Sequence, residues 1–116
     1  MTEKGIVLLY LLMLKVRKGG CVYIMSSPDK TTLYTGVTSE LETRVQKHRE
    51  KFYPKSFSKK YNCTQLVYFR FFDSIEEAIA EEKRLKGGKR VQKLALIEGL
   101  NPEWRDLWPD LDKLAW

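Results

Sequence analysis

One histidine and two cysteines are the only imidazole and thiol metal ligands in this chain of 116 residues. A tetrahedral zinc centre needs several such side chains, so His48, Cys21 and Cys63 exclude a site built from His and Cys alone. Any bound metal should be held by oxygen. The two cysteines form no CxxC motif and no paired framework, which points to a reduced, cytoplasmic protein with two small buried thiols. Long hydrophobic runs are equally scarce. The longest, residues 6–14, holds nine apolar residues and is too short to cross a bilayer, so no membrane partner is expected. The Lys-Val-Arg-Lys-Gly-Gly that follows it lacks the small residues of a secretory cleavage point. Residues 1–19 therefore read as an N-terminal extension, either packed on the domain as helix or strand or translated upstream of the natural start. No internal repeat or low-complexity tract appears, which removes solenoids and disordered linkers from consideration.

What is present suffices for one core. A 43% hydrophobic and 12% aromatic composition at this length supports a single modest domain, placed at residues 20–108 with a tail over 109–116. The formal charge of +6 favours a polyanionic partner. Its distribution is more telling: 13 Lys and Arg fall within residues 44–60 and 83–93, where the only acid is Glu50. Such clustering suggests a surface that faces phosphates, although a solvated basic face would look the same.

The local pattern predicts a β-hairpin first. Residues 20–26 and 32–38 are rich in β-branched and aromatic side chains and flank Ser27-Pro28-Asp29-Lys30-Thr31, whose Pro-Asp makes a turn. Ser39 and Glu42 form a capping box, predicting a helix to about Phe52. A polar loop over 53–62 leads into a third strand at 65–71. Ser74 and Glu77 repeat the capping box for a helix ending near Gly87-Gly88, and a last helix over 89–98 is stopped by Gly99 and Asn101-Pro102. The fold class is thus α/β of the α+β kind, a small three-stranded antiparallel sheet flanked by about three helices. The tail region carries Trp104, Trp108 and Trp116 among Glu103, Asp106, Asp110 and Asp112, and its tryptophans are expected to pack back on the domain.

Polar residues standing where apolar ones are expected mark the candidate chemistry. In the second capped helix the stripe Ile75, Ala78, Ile79, Glu82, Leu85 puts Glu82 on the inner face, where a carboxylate is costly unless paired or bound to a cation. Glu76, Glu77 and Glu81 are expected to be exposed. A stripe that merely reaches water at its end would give the same pattern. In the first helix Arg44 and His48 lie one turn apart along the side that carries Leu41 and Val45. A hairpin closing symmetrically about Pro28-Asp29 sets Tyr23 directly opposite Tyr34 on one face, and Gly36, two residues beyond Tyr34, leaves an opening where a phosphate could approach. Each of these residues alone is more often structural than functional.

Together they resemble a known family. Val22-Tyr23-Ile24, Tyr34-Thr35-Gly36, Arg44, His48, the stretch from Glu81 to Gly87 and Leu100-Asn101-Pro102-Glu103-Trp104 are similar to the GIY-YIG nuclease domain, over residues 20–108. The likeness is to small stand-alone bacterial GIY-YIG proteins, themselves similar to the nuclease module at the start of the excinuclease C subunit of DNA repair. Two positions depart from the pattern: Val22 follows Cys21 where the first motif has glycine, and Thr35 replaces the central isoleucine of the second. The resemblance implies a metal-dependent endonuclease hydrolysing DNA phosphodiesters with one Mg²⁺ or Mn²⁺ held by Glu82. It further implies Tyr34 as general base and Tyr23 orienting the water, roles that could be exchanged. An unperturbed phenol has a pKa of about 10 and needs nearby positive charge to act. Arg44 would stabilise the transition state, and His48 would relay a proton or contact phosphate. Gly36, Lys59, Lys60, Lys83 and Lys89 would contact nucleic acid. DNA is the expected partner, with RNA and branched or single-stranded DNA open, and the protein is expected as a monomer or weak dimer.

Two other classes stand against this one. A nucleic-acid-binding module could keep the fold, cut poorly and recruit DNA or RNA for a partner. A protein-interaction domain could use the Trp-rich acidic tail instead.

Overall fold

The computed structural model describes residues 19–50 and 61–109. In chain order these form β1 (Cys21–Ser26), β2 (Leu33–Thr38), α1 (Leu41–Arg49), β3 (Gln65–Phe71), α2 (Ile75–Gly87) and α3 (Arg90–Leu100). The expectations for the apolar run at 6–14, for Phe52, Lys59 and Lys60, and for Asp110, Asp112 and Trp116 fall outside the described residues. The strands make one antiparallel sheet in the order β2-β1-β3, as the α+β reading requires.

β1 is buried along its whole length because it is the central strand and both its faces are covered. On one face Cys21, Tyr23 and Met25 pack with Phe69 and Leu66 of β3, with Leu41 and Val45 of α1, and with Cys63 and Leu107. On the other, Val22 meets Ala78 and Leu85 of α2, while Ile24 meets Ile97 of α3 and Val67 and Tyr68 of β3. Alternation along one strand thus feeds two cores. A register shift opposite Ile24 and Met25 leaves Val67 as an extra residue in β3, so that Val67 and Tyr68 both contribute to the α3 side. Trp104 and Trp108 pack against these cores, as expected, and Leu107 donates its backbone N–H to the Leu66 carbonyl at 2.8 Å.

Two local expectations are corrected. Ser39 does not cap α1: Glu40 occupies the N-cap without a side-chain bond, and Thr38 Oγ1 instead accepts from the Glu40 N–H at 2.9 Å. The threonine ending β2 therefore fixes the corner into the helix. The second capping box holds, with Ser74 Oγ accepting from the Glu77 N–H at 3.1 Å, although the Glu77 carboxylate takes the Ser74 hydroxyl rather than its backbone amide.

The hairpin register is the other correction. Tyr23 faces Gly36, and Tyr34 faces Met25. The turn is centred one residue later than Pro28-Asp29 because Lys30 takes a left-handed φ of 65° and donates its N–H to the Ser27 carbonyl, so that Ser27 pairs with Thr32. Asp29 locks that geometry by accepting from the Ser27 hydroxyl and from both the amide and the hydroxyl of Thr31. A shift of two preserves the face, so both tyrosines still emerge on the α1 side, diagonally rather than opposite.

Candidate active site

The register puts a glycine under a phenol. A Cβ built on Gly36 would lie 2.4 Å from both Cζ and Oη of Tyr23, so the ring lies across β2 in the space that any other residue would fill. The opening expected above Gly36 is therefore occupied by Tyr23. Its ring is 0% exposed, and its hydroxyl lies 2.8 Å from Nε2 of His48, which is itself 2% exposed. Tyr34, half-buried on the edge strand, stacks its ring 4.9 Å from the imidazole and 6.3 Å from the Tyr23 ring. Tyr23, His48 and Tyr34 thus form one cluster between β1, β2 and α1.

Burial sets the state of the imidazole. Removal from water, with the Arg44 guanidinium nearby as a second cause, pushes the His48 pKa down to about 4, so the ring is neutral at pH 7. His48 is covered by the tyrosines and faces inward, which removes it from direct contact with a phosphate at the surface.

Arg44 lies one turn before His48 and opens to the outside. With Lys47 it lines a groove of about 550 Å³ whose other walls are Val37 and Thr38 of β2, Glu40 and Thr43 of α1, and Ile75 and Ile79 of α2. Beyond it along β2, Leu33, Tyr34 and Thr35 line a smaller cavity of about 250 Å³ with Lys86 of α2 and Lys93 of α3. Along α2, Glu82 falls one helical turn after Ile79 of the groove and one before Lys86 of the cavity. Its side chain is 14% exposed and its Oε2 is 2.9 Å from Nζ of Lys86. Edge strand β2 therefore carries Tyr34 past α1, which presents Arg44, and past the face of α2 that presents Glu82.

The inner-face reading of Glu82 distinguished it from its neighbours more sharply than the structure does. Glu81 is not exposed: its side chain is 13% accessible and holds Arg84 through two bonds of 2.8 Å, which keep its carboxyl below the usual range. Glu82 differs in its partner, Lys86. Lys83 and Lys89 are exposed and carry no contact with the tyrosine cluster in the described residues. Residue-by-residue reading passed over Lys47, Lys86 and Lys93. The spacing of four from Glu82 to Lys86 was the signal available for one of them. Among the described residues no cluster of three His, Cys, Asp or Glu side chains occurs, and Glu82 is the one carboxylate on the inner stripe of α2 beside Tyr34's strand.

The family is decided by the span of the match. The model of the GIY-YIG catalytic domain covers residues 19–95, from the start of β1 into α3. The chain belongs to the GIY-YIG family. Small relatives align over 76 to 82 residues of the chain. A UPF0213 protein of Syntrophus aciditrophicus is 38% identical over 82 residues, covering 71% of this chain and 92% of its own length. One from Clostridium perfringens is 40% identical over 76 residues, 66% of this chain and 80% of the relative. One from Haloquadratum walsbyi is 35% identical over 77 residues, 66% and 84% of the two chains. No solved structure matches. The chain thus belongs to a nuclease family, and of the residues that match its pattern Arg44 lines the groove and Tyr34 the smaller cavity beside edge strand β2.

Proposed function

We propose that this GIY-YIG protein is a metal-dependent endonuclease that hydrolyses DNA phosphodiesters at the β2 edge. The observation that carries the reading is the order of groups along that edge: Arg44 lines the groove, Tyr34 lines the adjoining cavity, and Glu82, paired with Lys86, falls along α2 between Ile79 of the groove and Lys86 of the cavity. The Glu82 carboxylate fits a hard cation, since it is largely shielded and already holds the Lys86 ammonium at 2.9 Å. Glu82 would bind one Mg²⁺ or Mn²⁺ in place of that ammonium, with water and phosphate completing the oxygen shell. When bound, such an ion polarises a phosphoryl oxygen and neutralises charge developing on it.

The chain's own groups would do the rest. Tyr34, the accessible phenol, would act as its phenolate, taking a proton from the attacking water as the water oxygen bonds to phosphorus, while the P–O bond to the leaving strand breaks and solvent protonates the departing oxygen. Tyr23, fully buried and tied to His48, keeps its position rather than travelling with substrate. A neutral His48 holds that phenol and supports the Tyr34 ring from below. Arg44 offers a permanent guanidinium to the phosphoryl oxygens as charge builds there. Lys59, Lys60, Lys83 and Lys89 would hold backbone phosphates away from the reacting centre. Two free, buried cysteines suit a cytoplasmic setting, and no described helix is long and apolar enough to cross a membrane.

Cleavage of duplex, nicked, flapped and single-stranded DNA in Mg²⁺ or Mn²⁺ tests the reading. Glu82→Gln should abolish cutting while leaving binding intact, and Tyr34→Phe should lose on the order of 10²–10⁴ in rate. A Glu82→Gln variant that cuts at the wild-type rate removes the metal assignment. The ion pair from Lys86 to Glu82 favours one second reading, a binding module whose acid is permanently neutralised. Tight binding with no turnover on every substrate would select it.

A further inference from the structure

The small cavity beside Tyr34 has features that the cleavage chemistry does not use. Its cationic wall is Lys86 and Lys93, from two different helices, and its strand wall is Leu33, Tyr34 and Thr35. Thr35 is 3% exposed, and its hydroxyl is buried with no hydrogen-bond partner. A buried hydroxyl left unpaired is a standing cost that an apolar residue of the same shape would avoid. An ammonium held near other cations without an acid of its own, as Lys93 is, is likewise unfavourable. Among the described residues no carboxylate pairs with Lys93, and its pKa is lowered by burial first and then by the charges of Arg90 and Lys86. Lys93 and the Thr35 hydroxyl lack the same complement, a compact anion that also accepts a hydrogen bond, whereas Lys86 already pairs with Glu82. At about 250 Å³ the space is smaller than the usual small-molecule pocket and ample for a tetrahedral oxyanion.

We propose that this cavity is a phosphate subsite, in which Lys93, Lys86 and the Thr35 hydroxyl seat a backbone phosphate of bound DNA next to the one that is cut. The subsite rests on the nuclease reading, because it places a neighbouring phosphate beside Tyr34. It would fix the strand's position relative to the phenol, a task that phosphate contacts perform without reading sequence. Thr35, the departure from the apolar residue of the family pattern, thereby gains a role: it donates a neutral hydrogen bond at the floor of a cationic pocket. Lys86 is shared between this pocket and Glu82, so Lys93 is the residue that isolates the subsite.

The test measures binding of a labelled DNA duplex by fluorescence anisotropy across a salt series, in chelator so that no cleavage intervenes. Lys93→Ala should weaken binding and reduce the slope of log affinity against log salt by about 0.9, the loss of one neutralised phosphate. Lys93→Arg should restore the slope. Thr35→Val should bind about tenfold more weakly with the slope unchanged, while its thermal stability equals or exceeds that of wild type, since an unpaired buried hydroxyl is removed. A purely structural Thr35 would move stability and affinity together. The subsite is refuted if Lys93→Ala keeps the wild-type affinity and slope, or if inorganic phosphate shifts the Thr35 amide resonance while duplex binding ignores both substitutions, which would mark the cavity as a site for the free ion. In either case wild-type cleavage would leave the nuclease reading standing. A wild type that binds no DNA at low salt overturns both.

Discussion

Replacing Gly36 with alanine sets two physical effects of opposite sign against each other. Glycine in a strand costs roughly 0.5–1 kcal/mol relative to alanine through backbone entropy, so Gly36→Ala in open space would stabilise the protein. The position has no left-handed backbone that would forbid the change. The added Cβ, however, would stand 2.4 Å from Tyr23 Cζ and Oη, about 1 Å inside ordinary contact. Tyr23 has little room to retreat, being 0% exposed with His48 at 2.8 Å from its hydroxyl and the Tyr34 ring beside it. Overpacking of this kind costs about 1–3 kcal/mol. If the ring swings aside instead, the bond to His48 is lost between two buried groups, at about 1–3 kcal/mol for the partner left unsatisfied. The net expectation is destabilisation by about 1 kcal/mol, a fall of roughly 5 °C in Tm for a domain of this size. Urea denaturation with equal m-values in both proteins measures it. In a Tyr23→Leu background, whose side chain ends short of Cζ, the penalty should largely vanish, giving a non-zero coupling in the double-mutant cycle. A Gly36→Ala protein as stable as wild type, or more so, would refute the close approach and with it the fixed position of Tyr23.

Acidification should expose the buried imidazole. The His48 pKa lies at about 4 in the folded chain against 6.5 unfolded, so below pH 6.5 the unfolded state takes up a proton that the native state refuses. Stability is therefore unaffected above pH 6.5 and falls as the pH drops from 6.5 to 4, by at most on the order of 3 kcal/mol. Urea midpoints over that window should fall less steeply for His48→Gln than for wild type, and parallel profiles would contradict the burial argument. A third perturbation concerns Asn101, 1% exposed, whose amide donates to the carbonyls of Val67 and Arg105 and whose oxygen accepts from the Arg105 N–H. Asn101→Asp points a carboxylate oxygen at two carbonyls and should cost about 3 kcal/mol at pH 7, with partial recovery in acid as the carboxyl protonates; an unchanged Tm would contradict this placement.

Period and punctuation in the sequence alone determined the elements. A run of β-branched and aromatic residues located β3 at its observed bounds, and Ser74 with Glu77 located the start of α2, because both signals act through neighbours in the chain. The same locality made the α+β class and the shared face of Tyr23 and Tyr34 readable, since a strand's side chains alternate whatever their partners. The hairpin register depended instead on whether Lys30 would enter a left-handed conformation, held by an Asp29 network that the Pro-Asp pair only hints at. Ser39 lost its expected place at the cap because Thr38 already served the corner.

Only the tertiary structure decided what each polar residue faces. Glu81 and Glu82 are adjacent in sequence and nearly equal in exposure, yet one is bound by Arg84 and the other by Lys86. His48 could not be distinguished from a surface histidine until two strands and a helix closed over it and lowered its proton affinity. The pocket of Lys86, Lys93 and Thr35 joins three elements far apart in the chain, and its charges become neighbours only when α2 and α3 pack on the same sheet face. Composition supplied the cations, and folding brought them together, because like charges converge only where the packing of apolar faces holds them.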